Sequence, residues 1–191
     1  MAATHWRLFW AIPLDEASRR AVAEQARELT RGLRGWRVLP ADGLHLTLRF
    51  LGPTPEQRVA ELLASAREAL AGIARFRVTL AGPWDVLPGA RRPRVLVAGV
   101  TDGAQPLVEI AARLEDAAVA LGWPPETRPF RPHLTVACVR RDVRRPELPP
   151  PDAGPRPTAF DAVDVVLFRS HLEPGGARYE RIAAVPLEER R

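Results

Sequence analysis

The chain has no lysine. All 28 of its basic residues are arginine, set against 23 acidic residues for a formal charge of +5. Guanidinium keeps its proton below about pH 12, so a strongly basic balance follows partly from that choice of residue. It records a GC-rich coding bias as readily as a function, and it favours an anionic partner only modestly. One cysteine, Cys138, excludes an intramolecular disulfide and a multi-cysteine zinc site. No apolar run approaches the roughly 18 residues of a membrane span. The apolar stretch of the N-terminus is short and carries Arg7, unlike a secretory signal. No membrane partner is expected, and a cytoplasmic protein is the simplest reading. With 191 residues, 46% of them apolar, the chain can build one packed domain or two small lobes sharing a core.

Histidine is also scarce, and its placement is informative. Of four histidines, two open the same short phrase. His45-Leu46-Thr47-Leu48 returns 88 positions later as His133-Leu134-Thr135-Val136. In an extended strand, alternate side chains share a face. Each copy therefore presents His and Thr on one side and two apolar residues on the other. The context repeats as well. Arg7 to Ile12 reads as a strand, followed by a helix and then His45; Arg94 to Gly99 reads as a strand, followed by a helix and then His133. The separations from Arg7 and Arg94 to the histidines are 38 and 39 residues. Two such units predict two similar lobes related by an approximate two-fold, with both histidine strands beside the axis.

The remaining elements follow from local signals. A helix is expected from Asp15 to Leu33, which has an acidic start and glycines at its end. Trp36 to Leu39 is a short extended piece. Leu44 to Leu51 is a strand closed by Gly52-Pro53. Thr54, Pro55 and Gln57 resemble an N-cap, first-turn proline and capping box for a helix reaching Leu70. Strands are expected at Phe76 to Leu80 and Arg94 to Val100, and a helix from Pro106 to Leu121. The second histidine strand runs from His133 to Val139. Arg140 to Pro157 is rich in proline, arginine and acid and reads as an exposed loop. Phe160 to Phe168 and Arg178 to Val185 are strands joined across Pro174-Gly175-Gly176.

Histidine is the side chain whose ordinary pKa lies near neutrality. Two in one cleft can serve as general base and general acid, each role worth 10²–10⁴-fold in rate. In-line displacement at phosphorus needs such groups on opposite sides of the phosphate. The hydroxyls of Thr47 and Thr135 can hydrogen-bond the non-bridging oxygens, where charge collects. Arg131, two before His133 and kept extended by Pro132, suits a phosphate oxygen. Arg49, two beyond Thr47, is expected on the same face at the cleft edge. Phe50 then has core-facing parity unless a bulge intervenes, and Cys138 has core-facing parity too. The scheme needs no metal and no cofactor. A pH profile with two limbs near neutrality is expected.

These residues resemble the RNA 2′,3′-cyclic phosphodiesterases, or 2′-5′ RNA ligases, of the 2H phosphoesterase superfamily. The resemblance covers nearly the whole chain. It runs through Arg7-Leu8-Phe9, the stretch Leu44 to Gly52, Pro93-Arg94-Val95-Leu96, Arg128 to Thr135, Leu167 to Ser170, and Pro174 to Tyr179. It implies an α+β fold: two intertwined, pseudo-symmetric lobes in one domain over residues 1–191, with antiparallel sheets lining a central groove and helices packed outside. It also implies hydrolysis of 2′,3′-cyclic phosphate RNA ends to 2′-phosphates, and 2′-5′ joining of RNA ends. Carried over, His45 is the proton donor and His133 the proton acceptor. RNA with a cyclic phosphate terminus is the implied partner, and a monomer is expected. Two departures stand out: Arg140 to Pro157 has no counterpart, and Ala137-Cys138 replaces bulkier or more polar residues.

Other readings share these residues. The same site can act on a small cyclic nucleotide or on ADP-ribose cyclic phosphate. A non-catalytic RNA-binding module with relict motifs is a third reading. Tyr179 is either a base-stacking ring or a buried hairpin residue. His5 and His171 read as surface residues, with His171 able to border the groove, and Trp84 and Trp123 as packing residues.

Overall fold

The computed structural model describes residues 4–174 and 176–189. Strand β1 (His5–Pro13) leads into helix α1 (Glu16–Thr30). Asp15 caps that helix: its carboxylate accepts the Ser18 N–H at 2.9 Å and the Ser18 hydroxyl at 2.8 Å. This satisfies one of the donors that a first turn leaves without partners. Ser18, Val22, Ala23, Gln25 and Ala26 form its buried stripe, at helical spacing. Strand β2 (Trp36–Val38) and a 3₁₀ turn at Ala41–Gly43 precede β3 (His45–Pro55).

Strand β3 does not stop at Gly52-Pro53 as expected. Gly52 takes a φ of 68° beside a register shift against β1, and the strand continues to Pro55. Glycine tolerates that backbone at no steric cost. Thr54 is consequently a buried sheet residue opposite Trp6, and its hydroxyl donates to Gly52 O at 3.2 Å instead of capping a helix. A 3₁₀ turn at Glu56–Arg58 intervenes before helix α2 (Val59–Ala69).

Strands β4 (Phe76–Leu87) and β5 (Val95–Asp102), helix α3 (Ala104–Ala120) and strand β6 (His133–Val139) come next in the chain. Gly103 starts α3 at a φ of 80°, where a Cβ would fall 2.4 Å from Arg77 O, so a side chain has no room. The stretch expected as one strand over Phe160 to Phe168 is two, β7 (Thr158–Ala162) and β8 (Asp164–Glu173). At Val163 between them the chain leaves one sheet for the other. Strand β9 (Gly176–Pro186) returns along β8 as the expected hairpin. Gly175 of that turn lies outside the described residues.

The named strands pair antiparallel in two sheets, ordered β3-β1-β8-β9 and β2-β6-β5-β4-β7. With β2 set aside, the orders correspond strand for strand: β3 with β6, β1 with β5, β8 with β4, β9 with β7. The repeat seen in sequence is therefore a repeat in space, and the α+β architecture of two similar lobes is the one adopted. The helices are exchanged between lobes. Helix α1 joins β1 to the first-sheet strand β3 but packs on β2, β6 and β7 of the second sheet. Gln25 Nε2 donates to Thr158 Oγ1 of β7 at 3.2 Å. Helix α3 joins β5 to β6 but packs on α2 and on β3 of the first sheet.

One apolar cluster runs through both sheets and includes Trp10, Leu46, Leu96, Leu114 and Leu134. A smaller one, Phe9, Ala11, Val166 and Phe168 with Tyr179 against it, uses the other parity of the first sheet. The first cluster holds the fold; the second faces the site. Among the described residues no helix is long and apolar enough to cross a membrane.

Candidate active site

Strands β3 and β6 begin at the two motif histidines and approach each other, although they belong to different sheets. Leu46, Leu48, Leu134 and Val136 are buried, while His45, Thr47, His133 and Thr135 are half-buried. This is the alternation expected of a strand with one face in the core. Both strands then break it at the same place. Against β1 the register shifts between Trp10 and Ala11, which makes Leu48 an extra residue. Against β5 it shifts between Leu96 and Val97, which makes Val136 one. Each bulge falls on the fourth residue of its motif and inverts the faces of the residues beyond it.

That inversion corrects three expectations. Arg49 is not at the cleft edge. It is 5% exposed, ion-paired with Glu115 of α3 and, at 3.0 Å, with Glu126. Its guanidinium also donates to Phe50 O and, at 2.6 Å, to Pro124 O. Phe50 goes the other way: it is 59% exposed, with its ring 5.7 Å from that of Phe9. Cys138 leaves the core parity as well. Ala137 is buried in its place, and the Cys138 thiol is close enough to Tyr179 to affect its ionisation.

The two imidazoles are wired alike. His45 Nδ1 lies 2.8 Å from Gly43 O, and His133 Nδ1 lies 2.7 Å from Arg131 O. A carbonyl only accepts, so each Nδ1 carries the hydrogen and each Nε2 is left for chemistry. In both cases the carbonyl belongs to the residue two before the histidine. Their surroundings differ. His45 sits among rings: Phe9 at 4.9 Å, Phe168 at 5.8 Å and stacked, and Tyr179 at 4.8 Å edge-on. Burial there pushes its pKa down to about 4, against the opposing pull of the Gly43 carbonyl. His133 is also lowered, first by burial and then by the Arg131 charge, with the Arg131 carbonyl opposing. Both rings are thus held towards the neutral form.

Arg131 stands two residues before His133 and is engaged in an ion pair. Its exposed guanidinium donates to Asp85 Oδ2 of β4 at 2.5 Å. Burial alone would raise the Asp85 carboxyl, but Arg131 and the Val86 N–H together hold it below the usual carboxylate range. Among the described residues, the hydroxyls of Thr47 and Thr135 have no hydrogen-bond partner. Tyr179 is half-buried in the β8–β9 hairpin and packs on His45 and Phe9; burial and the neighbouring Cys138 raise its phenol, and Arg37 opposes them. His171 is engaged with Glu180 at 2.7 Å. Trp84 and Trp123 are packing residues, the latter under Arg58 at 3.9 Å.

Three residues of this site escaped the sequence. Phe9 and Phe168 belong to apolar runs within their strands, Leu8–Ile12 and Val165–Phe168, where their parity, opposite to Leu8 and Leu167, was the available signal. Arg37 of β2 was not foreseeable. It pairs in register with Cys138, and its charge draws the Cys138 thiol back down against the rise caused by burial. Its placement depends on β2 joining β6, a pairing no local pattern announces. Among the described residues, no three His, Cys, Asp or Glu side chains converge as a metal site.

A profile of the 2′-5′ RNA ligase superfamily matches residues 13–171, from the end of β1 through both histidine strands to β8. The chain belongs to this superfamily. Its relatives in the superfamily include the RNA 2′,3′-cyclic phosphodiesterase of Thermus thermophilus, 34% identical over 91% of this chain and 86% of that protein. The Escherichia coli protein of the same name is 30% identical over 91% of this chain and 92% of its own length. Solved structures superpose well. A crystal structure from Thermus thermophilus matches with a TM-score of 0.82 at 30% identity, covering 97% of this chain and all of that one. Escherichia coli LigT complexed with 3′-AMP matches with a TM-score of 0.76 at 28% identity, covering 96% and 98%.

Proposed function

We propose that this chain hydrolyses the 2′,3′-cyclic phosphate at an RNA end to a 2′-phosphate, with His45 and His133 as the acid–base pair. The observation that carries the reading is the matched wiring of the two imidazoles on adjoining strands, each Nδ1 tied to the carbonyl two residues back. The names of the relatives support the reaction class. His133 Nε2 takes a proton from water as its oxygen bonds phosphorus. The bond from phosphorus to the 3′ oxygen breaks, and His45 Nε2 gives that oxygen a proton. Thr47 and Thr135 donate to the non-bridging oxygens, and Arg131 adds a positive charge beside them. The two proton transfers need no metal. A 5′-hydroxyl in place of water would yield a 2′-5′ linkage by the same steps.

The low pKa of His45 shapes this cycle. The free protein holds the ring neutral, so the donor must gain its proton as the anionic phosphate arrives and supplies the opposite charge the ring pocket lacks. The exposed face of Phe50 gives the terminal base a ring to stack on. The test is turnover of an RNA oligonucleotide with a 2′,3′-cyclic phosphate in EDTA, with the phosphate position on the product determined. A 2′-phosphate is expected; no turnover of the oligonucleotide or of a cyclic mononucleotide refutes the reading. A substrate with sulfur at the bridging 3′ position assigns the roles, because thiolate leaves without a proton. It should rescue His45→Ala and not His133→Ala. Rescue of His133→Ala instead would exchange acid and base.

A further inference from the structure

Residues 140–157 contain no helix or strand, yet their first half is fixed in place. The Arg140 N–H donates to Gly35 O at 2.9 Å, and the Glu147 N–H to Arg34 O at 3.0 Å. Trp36 Nε1 donates to Glu147 O at 2.6 Å. The Glu147 carboxylate accepts from the Arg34 N–H at 3.1 Å and from Arg34 Nε at 2.6 Å. Gly35, at a φ of 94°, lets the segment close in: a Cβ there would meet Val143 at 2.8 Å and Pro146 at 2.9 Å. The segment is therefore a built extension of the β2 edge.

What it presents is an excess of positive charge. Arg140, Arg141, Arg144 and Arg145 are all exposed. The nearby acids are already engaged, Asp142 with Arg140 at 3.4 Å and Glu147 with Arg34. Among the described residues, Arg141, Arg144 and Arg145 have no acidic partner. The row is continuous with the site. Arg37 pairs with Cys138, and Gly35 O binds the Arg140 N–H two residues further on. Arg140, one residue past β6, thus continues the parity of Cys138. At the inner end, Arg37 and Cys138 act on Tyr179, whose ring touches His45. Like charges fixed side by side repel, and a polyanion laid along them relieves that repulsion.

We propose that Arg140, Arg141, Arg144 and Arg145, with Arg37, bind the phosphates of the RNA strand leading into the cyclic end. The inference rests on the function proposed above. It makes the enzyme one that prefers a polynucleotide end to a free cyclic nucleotide, and it gives the Arg140 to Pro157 segment a task.

The experiment compares kcat/KM for a 2′,3′-cyclic mononucleotide with that for cyclic-phosphate oligonucleotides of increasing length. The wild type should favour the longer substrates. The triple variant Arg141→Gln, Arg144→Gln, Arg145→Gln should lower the oligonucleotide-to-mononucleotide ratio at least tenfold. It should also flatten the salt dependence of the oligonucleotide reaction by about 2 in log–log slope, at about 0.7 per lost phosphate contact on a single strand. A ratio within twofold of wild type, or a wild type indifferent to length, overturns the inference while leaving the catalytic reading intact. Loss of turnover on every substrate by the wild type would instead refute the catalytic reading. Unchanged melting of the variant guards against misfolding.

Discussion

The two histidine strands share a backbone and differ in almost everything around it. Each begins with histidine, anchors Nδ1 on the carbonyl two residues earlier and bulges at its fourth residue. Beyond the bulge they diverge. The fifth residue is Arg49 in β3, reaching α3, and Ala137 in β6, filling the core. The sixth is Phe50, open to solvent, against Cys138, half-buried near Tyr179. His45 is enclosed by aromatic rings, whereas His133 stands next to the charge of Arg131. A symmetric scaffold anchors the two rings alike, and asymmetric neighbours surround them: aromatic rings about His45 and the Arg131 charge beside His133.

The strongest way to break the comparison is to remove each ring in turn. His45→Ala and His133→Ala should each lower kcat by about 10²–10⁴-fold. The double variant should be little worse than either, because the pair acts as a unit. Undiminished turnover in one single variant would show that only the other half works. Next is Arg49, the fifth-position residue with no equivalent in β6. Arg49→Met should cost roughly 1–3 kcal/mol of stability, because it removes the ion partner of the part-buried Glu115 and the donor to Pro124 O. Denaturant unfolding measures this, and KM should hardly move. A large rise in KM with normal stability would restore the cleft-edge role.

Thr47→Val and Thr135→Val keep shape and remove the hydroxyl. Each should lose about a hundredfold in kcat if it faces developing charge; a loss from only one would mean that the phosphate leans to one lobe. The pH dependence carries a smaller signal. The His45 pKa is near 4 in the folded protein, against about 6.5 unfolded. The unfolded chain therefore binds more protons between those values, so this contribution is full above about pH 6.5 and is lost as pH falls towards 4. The loss should reach roughly 3 kcal/mol at most. Tyr179→Ser should open the ring enclosure and raise the His45 pKa while leaving that of His133 in place, as read by NMR titration of the ring protons.

The sequence made the repeated unit legible because two strands with one buried face must alternate, and alternation survives in a string of letters. It exposed His45, Thr47, His133 and Thr135 for that reason. It misplaced Arg49, Phe50 and Cys138 because a bulge is a property of two paired strands, and its trace in one of them is a single unmarked residue. The late start of α2 has a similar origin. Thr54-Pro55 carries every mark of a helix start, but pairing with Trp6 of β1 holds Thr54 in the sheet. The division of Phe160 to Phe168 into β7 and β8 is likewise tertiary: both halves are good strand sequence, and only the change of sheet at Val163 separates them.

The crossing of α1 and α3 between the sheets means that each half of the polypeptide wears the other's cover. A fragment ending before Gly103 would keep α1 but lose β6 and β7 of the sheet it shields, and the remainder would keep α3 without the β3 strand beneath it. Neither piece has a finished interior by itself. The molecule should therefore melt in one step, and two such fragments, separately unstructured, should regain activity only on being mixed.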